Sequence, residues 1–397
     1  MSGLRLALIA PRYWPSVDPV SRMLGQLAPG LADAGAKVTV VTPQHDPRWP
    51  IAALHRGVQI VRLRCRARAN EVEEFRPRWL RGWLRDHAAK LDAVLVSGLR
   101  QAAGVCIQAT RTLGLPVALR AESAGLSGDC HWQIETRTAQ RIKKLCRQAD
   151  AMIAPFDLVQ DELIAAGYPR ERIHLCQAGV ELPANEAPAD RSDARAAIAA
   201  AHPVLPVPAE APLVVSIAPL VEEANVEILL DGWTRVLEQL PEARLWLVGD
   251  GPLRQNLWER SGDMGLADSV LFPGCFAEMD ELLQAADLLV WPGRDENLRQ
   301  VHLQAMASAR PLVMADTRIA RQMIVSDESG LIVEDDSPQA WSAAVIRTLR
   351  DSARAQQLGA QARARAAQRF PFRQMIESHM KVLRAIARLD SSTDKPR

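Results

Sequence analysis

The strongest constraint on this chain is a rhythm that runs almost its full length. A short apolar run gives way to a loop, an amphipathic stretch, a glycine or proline stop and another apolar run. Residues 4–10 (LRLALIA) end at Pro11, residues 21–34 are amphipathic, Gly35 stops them, and 37–42 (KVTVVT) open the next run. Strand, helix and strand in that order form a right-handed βαβ unit with parallel strands. Apolar runs at 58–63, 93–96, 116–119 and 151–154, with a helix over 99–113, continue the pattern. Runs this apolar suit a sheet covered on both faces.

From 182 to 212 the rhythm lapses into a stretch rich in Ala, Pro and Asp, read as a linker with at most one short helix. It restarts with strands at 213–217, 243–248, 270–272, 288–291, 311–314 and 330–333, and helices at 226–240, 253–264, 279–286 and 301–309. From 337 to about 389 the chain reads as helix, broken at 370–372 (FPF). At 397 residues it exceeds what one core usually organises. The expectation is an α/β protein with two Rossmann-like, doubly wound domains, 1–185 and 186–369, with helices 370–397 returning to the first. Two such sheets facing across a cleft bind ligands at the carboxyl ends of their strands.

Composition removes several classes. A net charge of +1 gives no global field for nucleic acid, so no nucleic-acid partner is expected. The six cysteines form no CxxC pair, which argues for reduced thiols and against a metal site or a disulfide framework. No apolar run reaches the ~18 residues that a membrane span needs. The first strand begins at once, without the apolar core of a signal peptide. A cytoplasmic protein is expected. A dehydrogenase is disfavoured, since residues 10–16 (APRYWPS) hold no glycine-rich fingerprint.

The motifs carry more. Residues 243–253 read ARLWLVGDGPL, 270–277 VLFPGCFA, 286–292 ADLLVWP, 296–307 ENLRQVHLQAMA and 329–333 SGLIV. APRYWPS before KVTVVTP opens the first half, and QAGVE at 177–181 closes it. In this order and spacing the chain resembles family 4 of the retaining glycosyltransferases, which have the GT-B fold. The resemblance covers nearly the whole chain and is strongest from 213 to 333. It implies transfer of a sugar, with retention, from a nucleotide-sugar donor to a glycan or lipid-linked acceptor. No metal or other cofactor is implied, because side chains clamp the diphosphate.

Carried onto this sequence, the resemblance makes Gly249, Gly251, Gly274, Phe276, Glu296, Asn297 and Leu298 donor-binding. Glu296 would hold the ribose hydroxyls; the plain alternative is an exposed glutamate favoured by a helix N-terminus. Several positions depart from the family. The clamp Arg and Lys become Pro219 and Ala224, the second glutamate of the paired motif is Gln304, the N-terminal Gly-Gly is Asp18-Pro19, and the histidine after the fifth strand is Glu122. Phosphate charge would then fall to Arg299 first and Arg294 second, each with the alternative of a solvated surface charge. Arg120, Glu122 and Gln304 are the catalytic candidates, with a structural ion pair as the alternative for the first two. A rival function is a catalytically inactive relative that binds a glycan, a nucleotide or a partner enzyme.

One segment stands apart. Residues 61–90 carry nine Arg or Lys against four Asp or Glu, and Trp79, Leu80, Trp83 and Leu84 share a helical face. That pattern suits an interfacial helix, giving peripheral membrane contact through 77–90. The alternative is packing on the sheet.

Overall fold

The computed structural model describes residues 3–65, 75–183, 191–201, 208, 210–276, 279–294 and 300–387. The chain divides into two compact units, Met1–Gly179 with Phe372–Arg397, and Val180–Pro371.

The first unit runs through β1 (Arg5–Ile9), α1 (Pro19–Asp33), β2 (Lys37–Gln44), β3 (Ala52–His55), β4 (Val58–Arg64), α2 (Pro77–His87), β5 (Ala93–Ser97), α3 (Gln101–Leu113) and β6 (Val117–Arg120). It continues with α4 (Asp129–Glu135), α5 (Arg137–Cys146), β7 (Ala151–Ala154), α6 (Asp157–Ala165) and β8 (Ile173–Leu175). Its sheet has the order β3-β4-β2-β1-β5-β6-β7-β8, parallel except for the β3–β4 hairpin. The apolar strand positions dictate this: β5, β6 and β7 are buried along their whole length, between helices on both faces.

The second unit contains α7 (Arg191–Ala201), β9 (Leu213–Ile217), α8 (Glu227–Gln239), β10 (Arg244–Val248), α9 (Arg254–Asp263), β11 (Val270–Gly274), α10 (Asp280–Ala285) and β12 (Leu288–Trp291). Then come α11 (Gln300–Ala307), β13 (Leu312–Ala315), α12 (Arg318–Met323), β14 (Leu331–Val333), α13 (Pro338–Arg350) and α14 (Ser352–Arg369). The order β11-β10-β9-β12-β13-β14 is wholly parallel. This is a doubly wound order, with its switch point between β9 and β12; in the first unit the switch lies between β1 and β5. Within the expected linker, α7 packs on α10.

An aspartate just before a strand recurs as a register pin. Asp92 Oδ2 accepts from the amide of Arg5 at 2.7 Å, Asp150 Oδ2 from Val117 at 2.8 Å, and Asp287 Oδ2 from Leu213 at 2.7 Å. Each ties the first amide of a neighbouring strand to the entry of its own.

The last helix, α15 (Phe372–Ile386), belongs to the first unit. Its Met380 and Leu383 join Leu24, Leu27 and Val38 in that unit's core. Gly30 of α1 makes room for it: a Cβ there would stand 2.6 Å from Ile376 Cδ1.

Helix α2 corrects the reading of one continuous interfacial face. Leu80 and Leu84 are fully buried and Trp83 is 9% exposed, in a helix that packs against α3, while Trp79 is 46% exposed. Trp83 stacks on His87 at 4.4 Å, and Arg78 lies over Trp79 at 5.4 Å. Three of the four apolar residues are core, because the long strands β4 and β5 need a helix to cover them.

Candidate functional site

In the second unit the loops at the carboxyl ends of β9 and β10 lock together. Ala218 N donates to Val248 O at 3.0 Å, Leu220 N to Asp250 O at 3.0 Å, and Leu253 N to Leu220 O at 3.1 Å. This contact demands glycine. A Cβ on Gly249 (φ +151°) would stand 1.9 Å from Ala218 O, and one on Gly251 2.4 Å from Leu220 O. The Gly249 amide donates to Gly274 O at 3.0 Å, and the Gly251 amide to Asp250 Oδ1 at 2.9 Å. Both glycine amides are therefore engaged within the turn. Gly274 (φ +83°) leads to a half-buried Phe276. Beside Gly251 a groove of about 860 Å³ opens, with Arg254 donating to Phe272 O at 3.1 Å and Trp258 59% exposed.

The β9 loop offers no cation. Pro219 turns back on itself, its carbonyl accepting from Val221 N at 2.9 Å, and Ala224 is buried beneath Gly293. A cavity of about 20 Å³ lies between Ala224, Gly293, Trp291, His302 and Thr317, room for about one water. Trp291 donates to Ile217 O at 2.9 Å and meets His302 edge-on at 4.6 Å.

Arg294 extends from the β12 loop and pairs with Asp336 after β14 at 2.9 Å. Asp336 also accepts from Asn225 Nδ2 at 3.0 Å, and Asn225 sits at φ +49° in the β9 loop. One carboxylate thus laces three loops. Neither Asp336 nor Asn225 stands out in the sequence, since their pairing spans 111 residues. Glu296, Asn297, Leu298 and Arg299 lie outside the described residues. Gln304, on α11, is half-buried, and its Oε1 is buried with no partner among the described residues.

In the first unit, Arg120 and Glu122 form an ion pair at the end of β6, their side chains 2% and 10% exposed. Ser97 Oγ donates to Glu122 Oε1 at 2.6 Å. Burial pushes the Glu122 carboxyl up from its ordinary range, against the opposing pull of Arg120 and Ser97. Asp129 organises the same corner, its Oδ2 accepting from the Glu122 amide at 2.8 Å and its Oδ1 from Leu99 at 3.3 Å. Ser97 and Asp129 escape sequence reading because neither lies in a motif. Asp18 and Pro19 have a local cause. Asp18 is the N-cap of α1, accepting from Ser21 N at 3.1 Å, and Pro19 is its first residue. The carboxylate occupies the end of the helix where an anion would otherwise be favoured. Among the described residues no three His, Cys, Asp or Glu side chains are grouped to hold a metal.

A doubly wound unit with glycine turns at its switch point, preceded by a second such unit, defines an α/β protein that takes ligands at the carboxyl ends of its strands. The glycosyl transferase 4-like domain model matches residues 20–179, and the glycosyl transferases group 1 model matches 211–351. The chain belongs to the family 4 glycosyltransferases, with the GT-B pair of Rossmann-like units. It is 30% identical over 148 residues to a lipopolysaccharide core biosynthesis glycosyltransferase (LpsE) of Rhizobium meliloti, 37% of this chain and 42% of that one. It thus spans under half the length of that relative. It is 27% identical over 351 residues to a GDP-mannose-dependent alpha-mannosyltransferase of Mycobacterium tuberculosis, 84% of each chain. Among solved structures, Anabaena HepE in complex with UDP-glucose matches with a TM-score of 0.74 at 17% identity, over 98% of this chain and 100% of that one.

Proposed function

We propose that the protein transfers a hexosyl unit from a nucleotide-sugar donor to a glycan or lipid-linked acceptor with retention of configuration. What carries this reading is the match across 84% of both chains to a mannosyltransferase, which takes in both units and not the fold alone. In the reaction the bond from anomeric carbon to diphosphate oxygen breaks, and the acceptor hydroxyl forms the new glycosidic bond after losing its proton. The diphosphate leaves with added negative charge, which preorganised donors must stabilise. With Pro219 and Ala224 in the β9 loop, that task falls to Arg299 and Arg294 and to the dipole at the start of α11. Arg294 would exchange Asp336 for phosphate on binding. Glu296 would take the ribose. Gln304 is the second donor contact, because a buried acceptor without a protein partner suits a ligand hydroxyl. Arg120 and Glu122 serve the acceptor side, the carboxylate as the group that takes the hydroxyl proton.

Thermal unfolding with a panel that includes UDP-glucose and GDP-mannose tests this. A ligand at about 100 times its Kd adds about 2.7 kcal/mol of stability. Stabilisation by one nucleotide sugar, weakened in Gln304→Ala and in Arg299→Ala, supports the reading. Stabilisation by none, in protein that remains folded, refutes it.

A further inference from the structure

The Arg120–Glu122 pair is backed by the last helix of the chain. Helix α15 packs across β5, β6 and β7, and β6 ends in Arg120. On α15, His379 is fully buried, with Nδ1 2.8 Å from Met375 O. A carbonyl oxygen only accepts, so Nδ1 carries the proton and Nε2 presents a bare lone pair. Burial, and then the charge of Arg120, push the ring down to about 3, against the pull of the Met375 carbonyl. It is therefore a neutral imidazole. His379 Nε2 and Arg120 Nε are both buried and both lack a hydrogen-bond partner.

The surroundings are as specific. Gly179 N donates to Met375 Sδ at 3.2 Å, one helical turn before His379. The buried Cys176 thiol, raised by desolvation, feels both Ser378 and Arg120. On this side Arg120 faces a neutral ring and thiol, and its carboxylate partner is Glu122. A desolvated guanidinium in that setting is held by its one ion pair and by the dipoles behind it.

We infer that His379 is a positioning residue: from α15 it fixes the Arg120 guanidinium, and through it the Glu122 carboxylate, in the orientation that meets the acceptor hydroxyl. This rests on the proposed role of Glu122 at the acceptor side. It gives the returning C-terminal helix a part in the reaction beyond covering the sheet. The lone pair on Nε2, rather than the ring's bulk, carries the effect.

The test compares His379→Phe, His379→Gln and Glu122→Gln in the full chain. Release of nucleoside diphosphate is followed with UDP-glucose and GDP-mannose as probes, and melting temperature is measured alongside. His379→Phe should lower kcat about tenfold or more with the donor KM unchanged, and His379→Gln, which keeps an acceptor, should recover most of it. A second readout needs no turnover. The two-bond proton–nitrogen spectrum of the wild-type histidines, assigned with His379→Gln, should show His379 in its Nδ1–H form, and its Nε2 signal should shift in Glu122→Gln. Wild-type kcat in His379→Phe, or a drop in melting temperature with kcat intact, overturns the inference. So does an Nε2 signal indifferent to Glu122→Gln. Full activity in Glu122→Gln would instead overturn the role given to Glu122, a separate failure.

Discussion

Gly249 and Gly251 bear on two questions at once, loop packing and ligand access. Their hydrogen atoms face the carbonyls of Ala218 and Leu220 at distances no side chain tolerates. Gly251→Ala should therefore destabilise the protein by about 1–3 kcal/mol, an overpacking cost, as read by urea unfolding. An unchanged midpoint would show that the β9 loop moves aside easily. Pro219 and Ala224 fit the same logic: in this closed loop one turns the backbone and the other fills the floor under Gly293. The motif glycines were legible in the sequence as family residues. Their packing role was not, because it depends on a loop thirty residues earlier in the chain. The Arg294–Asp336–Asn225 lacing was hidden for the same reason.

At the scale of elements, the aspartates that open strands give a pH signature. Arg5 hydrogen bonds hold the Asp92 carboxyl below its ordinary range. Unfolded, the group titrates near 4. Its stabilisation is thus present above about 4 and fades as pH falls through the lower folded value. Asp92→Asn should lose about 1–3 kcal/mol at pH 7, and the gap from wild type should close steadily below about pH 4. A gap independent of pH would assign the loss to packing. Helix α2 offers a second contrast. Trp83→Ala should cost about 3–5 kcal/mol, whereas Trp79→Ala should leave stability nearly unchanged. If Trp79 and its arginines meet a lipid surface, Trp79→Ala should weaken flotation with anionic vesicles; equal flotation would remove that contact. The parallel strands were legible as apolar runs because both faces are covered. The antiparallel β3 was not, since its turn places Arg56 and Gly57 both at positive φ, and an arginine gives no turn signal there. Helices α4, α5 and α12 were missed too, being short and lying between strands whose apolar runs dominate the pattern.

For the whole molecule, two doubly wound units in one chain, both matched by glycosyltransferase models, make family membership secure, and the altered clamp makes the chemistry the open issue. A metal ion could supply the missing charge, but by the resemblance none is needed. Turnover should therefore survive chelation with EDTA, and loss of activity restored by added magnesium would contradict that. The central claim is transfer with retention from a nucleotide sugar without the family's cationic clamp. Proton NMR of the purified protein with a panel of nucleotide sugars, UDP-glucose and GDP-mannose among them, tests it most directly. The account predicts that one donor is consumed, its nucleoside diphosphate appears, and the first-formed sugar product keeps the donor's anomeric configuration. A product of inverted configuration, or a panel left intact by folded protein supplied with glycan and lipid-linked acceptors, would contradict it.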